Sequence, residues 1–121
     1  MRVFKNTWFN RFARKEGIAD DELKTIVNEV LEEDLADADY GGGVYKVRLA
    51  RPGEGKSGGY RVLVFFRSGD KTFFQFGFAK SKMTNIPQKK LNKYKLIAKV
   101  YLALTDEQLQ AAVQDGEFIE I

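Results

Sequence analysis

The chain has 121 residues, of which 44% are hydrophobic and 31% are charged, and its formal net charge is +3. This size and apolar content predict one domain, residues 1–121, with a hydrophobic core, and no apolar run approaches the roughly 20 residues of a membrane helix. The absence of cysteine and histidine excludes disulfides, thiolate zinc sites and histidine catalysis, so a cytoplasmic protein without metal, cofactor or membrane partner is expected.

The first forty residues predict a short strand followed by two helices. Met1 to Lys5 favours a strand, and Asn6 or Thr7 is expected to cap a first helix that carries three aromatic residues and stops at Gly17. Asp20 is expected to cap the second helix. The apolar residues of that helix follow amphipathic spacing: Leu23, Ile26, Val27, Val30, Leu31 and Leu35.

Three β-rich segments follow the glycines at 41–43, and little sequence separates them. They span Val44 to Ala50, Tyr60 to Arg67 and Thr72 to Lys80. The short connections favour an antiparallel meander. Alternation along the third segment predicts that its phenylalanines share one side of the sheet: Phe74, Phe76 and Phe78.

The C-terminal part predicts two helices and a short edge strand. A third helix is expected after Pro87, and Thr105 with Gln108 forms a capping-box pattern before a fourth. Phe118 to Ile121 is expected to add a strand. The fold class is therefore α+β: a small, twisted, mainly antiparallel sheet with two N-terminal helices on one face and C-terminal helices.

The small net charge conceals a strong segregation of charge along the chain. Ten acidic residues and one basic residue lie between Glu16 and Asp39, whereas fourteen basic and two acidic residues lie between Tyr40 and Leu104. A basic segment of this kind attracts polyanions. The acidic second helix is expected to lie away from such a partner.

The glycine-rich segment at 50–59 superficially resembles a phosphate-binding P-loop. That interpretation is rejected because alanine occupies position 50, where the pattern requires glycine, and because a strand, not a helix, follows the loop. A glycine-rich hairpin loop without a function is the simplest alternative.

Strand alternation predicts a cationic face near this loop. Lys46 and Arg48 are two residues apart and should project from one face of the sheet. If the two strands pair across the loop, Arg61 joins them, and Arg51 and Lys56 are expected to approach the same face. Cations in contact repel one another unless an anion lies between them, and the neighbouring sequence offers only Glu54 and Asp70. A phosphate-binding face is the favoured interpretation.

Tyr60, at the edge of the loop, is the aromatic residue expected to reach a nucleobase, since bases stack on exposed rings.

The segment Gly58 to Phe65, preceded by the strand with Lys46 and Arg48, resembles the RelE/HigB superfamily of bacterial toxins. The basic run from Phe76 to Ile86 resembles the motif that these toxins carry after their last core strand. The order of the predicted elements matches over most of the chain. The likeness is to HigB-type, phage-related members.

This resemblance implies the toxin of a type II toxin–antitoxin system, paired with an antitoxin that is often a helix-turn-helix protein. It implies cleavage of mRNA on the ribosome. The functional cations of the superfamily fall at Lys46, Arg48, Arg61 and Lys80. The chain departs from RelE at Ser81, where RelE has arginine, and directly after Lys82, where no tyrosine stands in the place of RelE's C-terminal catalytic one.

The mechanism that follows is metal-independent attack of a ribose 2′-OH on the adjacent phosphate. Arg61 is expected to stabilise the phosphorane charge, and Lys80 or Lys56 is the candidate base. RNA-binding roles are expected for the remaining candidates: Lys46, Arg48, Arg51, Tyr60 and Lys82. The general acid stays unassigned.

Three alternatives stay open at the level of the sequence. A ParE-like toxin acts on DNA gyrase with the same fold, and a non-catalytic RNA-binding domain predicts binding without toxicity. A decayed toxin would retain only the groove for its antitoxin.

Overall fold

The computed structural model describes residues 1–51, 59–83 and 85–121. These residues form six strands and four helices, which confirms the predicted α+β class. The elements are, in chain order, β1 (Arg2–Asn6), α1 (Thr7–Glu16), α2 (Asp20–Ile26), β2 (Ala38–Gly41), β3 (Val44–Leu49), β4 (Tyr60–Arg67), β5 (Lys71–Ala79), α3 (Gln88–Leu102), α4 (Asp106–Gln114) and β6 (Phe118–Glu120). No helix in the described ranges is long and apolar enough to cross a membrane.

The strands form one sheet in the order β2-β3-β4-β5-β1-β6. Only β1 and β5 are parallel, and every other neighbouring pair is antiparallel. The sheet is therefore mainly antiparallel, as predicted, and β6 is an edge strand on β1.

Helix α1 begins and ends as its sequence predicts. The side-chain oxygen of Asn6 accepts a hydrogen bond from the Phe9 N–H at 2.6 Å, and Gly17 ends the helix in the left-handed conformation at φ 69°. The cap predicted for α2 was wrong by one residue. Ala19 occupies the N-cap position, while the carboxylate of Asp20 accepts from Lys5 Nζ at 2.8 Å.

The amphipathic pattern of α2 extends further along the chain than the helix does. After Ile26 the chain makes a π-helical turn over Val27–Leu31, and Leu35 lies beyond it with 66% of its surface exposed. The segment that follows was not predicted to be a strand, yet Ala38–Gly41 pairs with β3 as β2. This pairing brings the end of the acidic region alongside β3.

The two faces of the sheet carry separate hydrophobic cores. Helices α1 and α2 cover one face, which we call the α1/α2 face, and α3 and α4 cover the other, the α3/α4 face. Side chains of β3 and β4 alternate between them as predicted, with Val47 and Val62 in the first core and Val44 and Leu63 in the second.

A β-bulge on β5 changes which way its phenylalanines point. Leu63 pairs with Phe76 but Val64 pairs with Phe74, so Gln75 is an extra residue. Phe74 therefore lies in the core of the α1/α2 face, and Phe78 in that of the α3/α4 face. The predicted single stripe of Phe74, Phe76 and Phe78 was wrong, because the extra residue inverts the alternation.

Candidate functional site

Three basic side chains project from one end of the α3/α4 face. Arg48 and Arg61 are direct partners in the β3–β4 ladder, and Lys46 is paired with Leu63 on the same face. The pairing across the loop that the sequence predicted is confirmed. It brings together three of the predicted site residues from two neighbouring strands.

A carboxylate that the sequence analysis did not single out holds these cations together. Asp37 Oδ1 accepts from Arg48 Nε at 2.9 Å, and Asp37 Oδ2 lies 3.6 Å from Lys46 Nζ and 4.0 Å from Arg61 Nε. We call these four residues the Asp37 cluster. One carboxylate facing three cations leaves the cluster with a net formal charge of about +2.

The position of Asp37 shows that two expectations from the sequence were wrong. Glu54 and Asp70 were the carboxylates expected near the cations, but Asp70 contacts Arg67 and Lys71 instead, and Glu54 lies outside the described residues. The acidic region was expected to lie away from the cationic face. Its last part instead reaches that face, because β2 pairs beside β3.

Arg61 is buried although it carries a full charge. Its side chain is only 5% exposed, and besides Asp37 its Nη1 donates to the carbonyl of Tyr60 at 3.3 Å. Arg48 on the neighbouring strand is 53% exposed. The cluster thus has an accessible cation at its rim and a desolvated cation beneath Asp37, where electrostatic interactions are strengthened.

Lys80, another candidate catalytic residue, lies directly after β5. The backbone N–H of Lys80 donates to the carbonyl of Gly59 at 3.1 Å, which continues the β4–β5 ladder past the Tyr60–Ala79 pair. Lys80 therefore lies at the same end of the sheet as Arg61, and its side chain is exposed. Lys56 lies outside the described residues.

Arg51 and Lys82 do not join the Asp37 cluster. They line a groove of about 500 Å³ between α1 and the free edge of β5. We call it the α1 groove and define it by Trp8, Arg11, Lys15, Arg51, Phe78 and Lys82. The expectation of one continuous cationic face was wrong for Arg51, because its side chain follows the alternation of Val47 and Leu49 and lies on the α1/α2 face, against Tyr60 and Glu16.

The expectation that the ring of Tyr60 is exposed was also wrong. Tyr60 is 3% exposed, its hydroxyl donates to Glu16 Oε2 at 2.8 Å, and the ring of Phe12 meets it edge-on. The Arg51 guanidinium lies 5.0 Å from the centre of its ring. Alternation along β4 places Tyr60 on the opposite face from Arg61, so it anchors β4 to α1 and is not available for stacking on a base.

The α1 groove contains the most exposed aromatic side chain of the protein. Trp8 is 39% exposed and stacks on Phe12 with ring centres 5.3 Å apart and an interplanar angle of 13°. The ring of Phe76 supports it from a second side at 4.7 Å. The helical pattern predicted Trp8 as part of α1 but not as part of a site, since an aromatic residue on a helix is more often core.

The α1 groove is also basic. Arg11, Lys15, Arg51 and Lys82 line it together with one carboxylate, Glu16. Glu16 is engaged within the groove, because it accepts from the Tyr60 hydroxyl and lies 3.8 Å from Arg51 Nη2. The other groove cations, Arg11, Lys15 and Lys82, are exposed to solvent.

Comparison with protein-family models identifies the family to which the chain belongs. The family model described as the RelE toxin of the RelE/RelB toxin–antitoxin system matches residues 1–121. The match spans both the Asp37 cluster and the α1 groove, and the α+β fold with its mainly antiparallel sheet is compatible with it. The chain therefore belongs to the RelE toxin family, whose members are the toxin partners of an antitoxin protein.

Proposed function

We propose that this toxin is an endoribonuclease that cleaves mRNA on the ribosome without a metal ion, and that the Asp37 cluster is its active site. The observation that carries the proposal is the convergence of Lys46, Arg48 and Arg61 on one carboxylate. Phosphodiester cleavage needs positive charge where the phosphorane develops, and preorganised cations supply it without reorganisation.

The reaction proposed is an internal transesterification of RNA. The ribose O2′ loses its proton to a base and forms a bond to the adjacent phosphorus, while the bond from phosphorus to O5′ breaks and O5′ takes up a proton. Arg61 and Arg48 are proposed to bind the phosphoryl oxygens, since guanidinium groups match two oxygens at once. Lys80 or Lys56 is the proposed base when its amine is neutral.

Asp37 occupies the place that a phosphate would take in this mechanism. Its two oxygens contact Arg48 on one side and Lys46 and Arg61 on the other, much as two phosphoryl oxygens would. Because Arg61 is nearly inaccessible to solvent, a phosphate reaches it only when the carboxylate moves aside. We therefore propose that the substrate phosphate displaces Asp37. The negative charge of the phosphate then keeps the three cations from repelling one another, as the carboxylate does in the free toxin.

The proposed partners follow from this chemistry and from the family. The substrate is mRNA bound to the ribosome in the cytoplasm, and the antitoxin is proposed to be a helix-turn-helix protein. Two features of RelE are missing, since Ser81 stands where RelE has arginine and Met83, directly after Lys82, takes the place of its C-terminal catalytic tyrosine. The general acid is therefore not assigned to a residue of this chain.

Cleavage by purified toxin on ribosomes carrying a defined mRNA tests the proposal. Internal attack leaves a 2′,3′-cyclic phosphate and a 5′-hydroxyl, whereas hydrolysis by metal-bound water leaves other ends. Arg61→Ala should slow cleavage by roughly 10²- to 10³-fold, the cost of losing one donor to a developing anion. Lys93→Ala, an exposed lysine on α3, is the matched control and should cleave at the wild-type rate.

The outcomes separate the proposal from its alternatives. An unchanged rate for Arg61→Ala overturns the assignment of the Asp37 cluster. Intact mRNA together with inhibited DNA gyrase identifies a ParE-like toxin. Salt-dependent binding of RNA without cleavage identifies a non-catalytic domain. Antitoxin binding without mRNA cleavage, RNA binding or gyrase inhibition identifies a decayed toxin.

A further inference from the structure

The α1 groove combines an exposed ring with cations that have no ion-pair partner. Within the described residues, Arg11, Lys15 and Lys82 form no ion pair or side-chain hydrogen bond, and each is exposed. The indole of Trp8 is held in one orientation by Phe12 and Phe76. An immobilised, exposed ring beside unpaired cations is the arrangement that single-stranded nucleic acids use, with bases on rings and phosphates on cations.

The α1 groove and the Asp37 cluster lie on either side of the free edge of β5. Arg48, Arg61 and Phe78 are partners in successive ladders across β3, β4 and β5, and Phe78 lines the groove. Pairing of β1 with β5 ends at Lys5–Phe74, so the second half of β5 is a free edge. Neighbouring strands lie about 4.8 Å apart, so the free edge of β5 lies about one strand from Arg61, and the groove opens on the other side of that edge.

We infer that the α1 groove is a second RNA-binding subsite, which holds a nucleotide of the same strand around the free edge of β5 from the scissile phosphate. One base stacks on Trp8, and Arg11, Lys15 and Lys82 bind the phosphates that flank it. The substrate named here rests on the proposed function. The groove volume of about 500 Å³ lies in the range of small-ligand pockets, and its excess of cations favours a polyanion over an apolar peptide.

Trp8 gives this inference a direct spectroscopic test, because it is the only tryptophan of the chain. The probe is a 2′-O-methyl RNA hexanucleotide, which resists cleavage because its 2′ oxygens are blocked. Titration into wild-type toxin should quench the tryptophan fluorescence saturably. The affinity should fall steeply as the salt concentration is raised. In a plot of log affinity against log salt concentration, the loss of each phosphate contact should lower the steepness of the slope by about 0.7 for a single strand.

Matched variants distinguish the groove from general electrostatic attraction. Arg11→Glu should weaken binding and lower the salt slope, whereas Arg14→Glu, on the same helix but outside the groove, makes the same charge change and should have a much smaller effect. Trp8→Leu should weaken binding by roughly 5- to 150-fold, the range for loss of one base–aromatic stack. Trp8→Phe keeps a ring and should restore most of that affinity, and thermal unfolding verifies that both variants are folded.

The outcomes separate this inference from the proposed function. If wild-type toxin cleaves mRNA but RNA leaves its fluorescence unchanged, or if Arg11→Glu and Arg14→Glu bind RNA equally, the subsite is overturned while the proposed function stands. If the RNA quenches Trp8 as expected but no cleavage occurs, the subsite stands and the catalytic proposal fails. Quenching by the antitoxin and not by RNA assigns the groove to a protein partner and overturns the inference.

Discussion

Asp37 determines how much positive charge the proposed active site presents. Three cations contact its carboxylate, and Arg61 is buried beneath it. A buried charge is tolerated when it is paired, and its partner is costly to remove. In the proposed mechanism the same carboxylate competes with a phosphate for the cations. Asp37 should therefore stabilise the free toxin and weaken its binding of RNA.

Asp37→Asn tests these two effects together. The variant should bind the 2′-O-methyl RNA more tightly, because a competing negative charge is gone, and should unfold about 1–3 kcal/mol more easily, the usual cost of an unsatisfied buried group. Binding titrations and urea unfolding measure both. Asp39→Asn removes a nearby exposed carboxylate that accepts a hydrogen bond from the Gly41 N–H, and it should change neither quantity comparably. Weaker RNA binding by Asp37→Asn would contradict the competition.

Gly77 lets α1 pack closely on β5 at the floor of the α1 groove. A Cβ atom at this position would lie 2.5 Å from Cε2 of the Phe12 ring, closer than real contacts allow. Gly77→Ala should therefore destabilise the protein by about 1–3 kcal/mol, as overpacking usually does. Chemical denaturation of Gly77→Ala, Phe12→Leu and the double variant measures the coupling. The double variant should recover part of the loss, and strict additivity would show that the ring is not the obstacle.

Some individual site residues could be predicted from the sequence, and others could not. Period-two alternation correctly put Lys46, Arg48 and Arg61 on one face, because a strand leaves its side chains little choice. Asp37 could not be selected from ten acidic residues in its region, since its contacts depend on a strand pairing. The burial of Tyr60 likewise depends on the packing of α1.

At the level of elements, a bidentate ion pair ties the edge strand β6 to β1. Arg2 Nε and Nη2 donate to the two oxygens of Glu120, both at 2.9 Å. The Arg2 hydrogen bond holds the pKa of Glu120 below its ordinary value of 4.5. The pair is partly exposed to solvent, so its contribution to stability is modest.

The lowered pKa of Glu120 fixes the sign of its pH dependence. A carboxylate whose pKa is lower in the folded state contributes stability above its unfolded pKa of about 4.5 and loses it as the pH falls through the folded value. Glu120→Gln should therefore unfold about 0.2–1 kcal/mol more easily than wild type at pH 7, with the difference vanishing in acid. Urea unfolding across pH measures this, with Glu117→Gln as control. A difference that grows in acid would contradict the assignment.

Elements with strong local signals were predicted, and those that depend on pairing were not. The Asn6 cap, the Gly17 stop and the capping box of Thr105 with Gln108 are all present, because each depends on residues within one turn. Strand β2 is short and polar, so its sequence alone does not indicate a strand. The bulge at Gln75 inverts an alternation that the sequence pattern continues without a break.

In the whole molecule, the basic side chains form two surfaces, one on either side of the free edge of β5. The Asp37 cluster lies on the α3/α4 face and the α1 groove at the free edge of β5, with Phe78 between them in the ladder order. The family match over residues 1–121 and the order of the elements could be anticipated from the sequence. The α1 groove could not, because it depends on how α1 packs beside the free edge of β5.

Cleavage of mRNA by the Asp37 cluster is proposed, and the ends of cellular transcripts report on it. The wild-type toxin and Arg61→Ala are each expressed without antitoxin, at matched protein levels, and the 5′ ends of transcripts are sequenced according to their end chemistry. Wild type should produce new 5′-hydroxyl ends within coding regions, and Arg61→Ala should produce at least roughly 100-fold fewer. Growth arrest with intact transcripts, or equal cleavage by both proteins, would contradict the account.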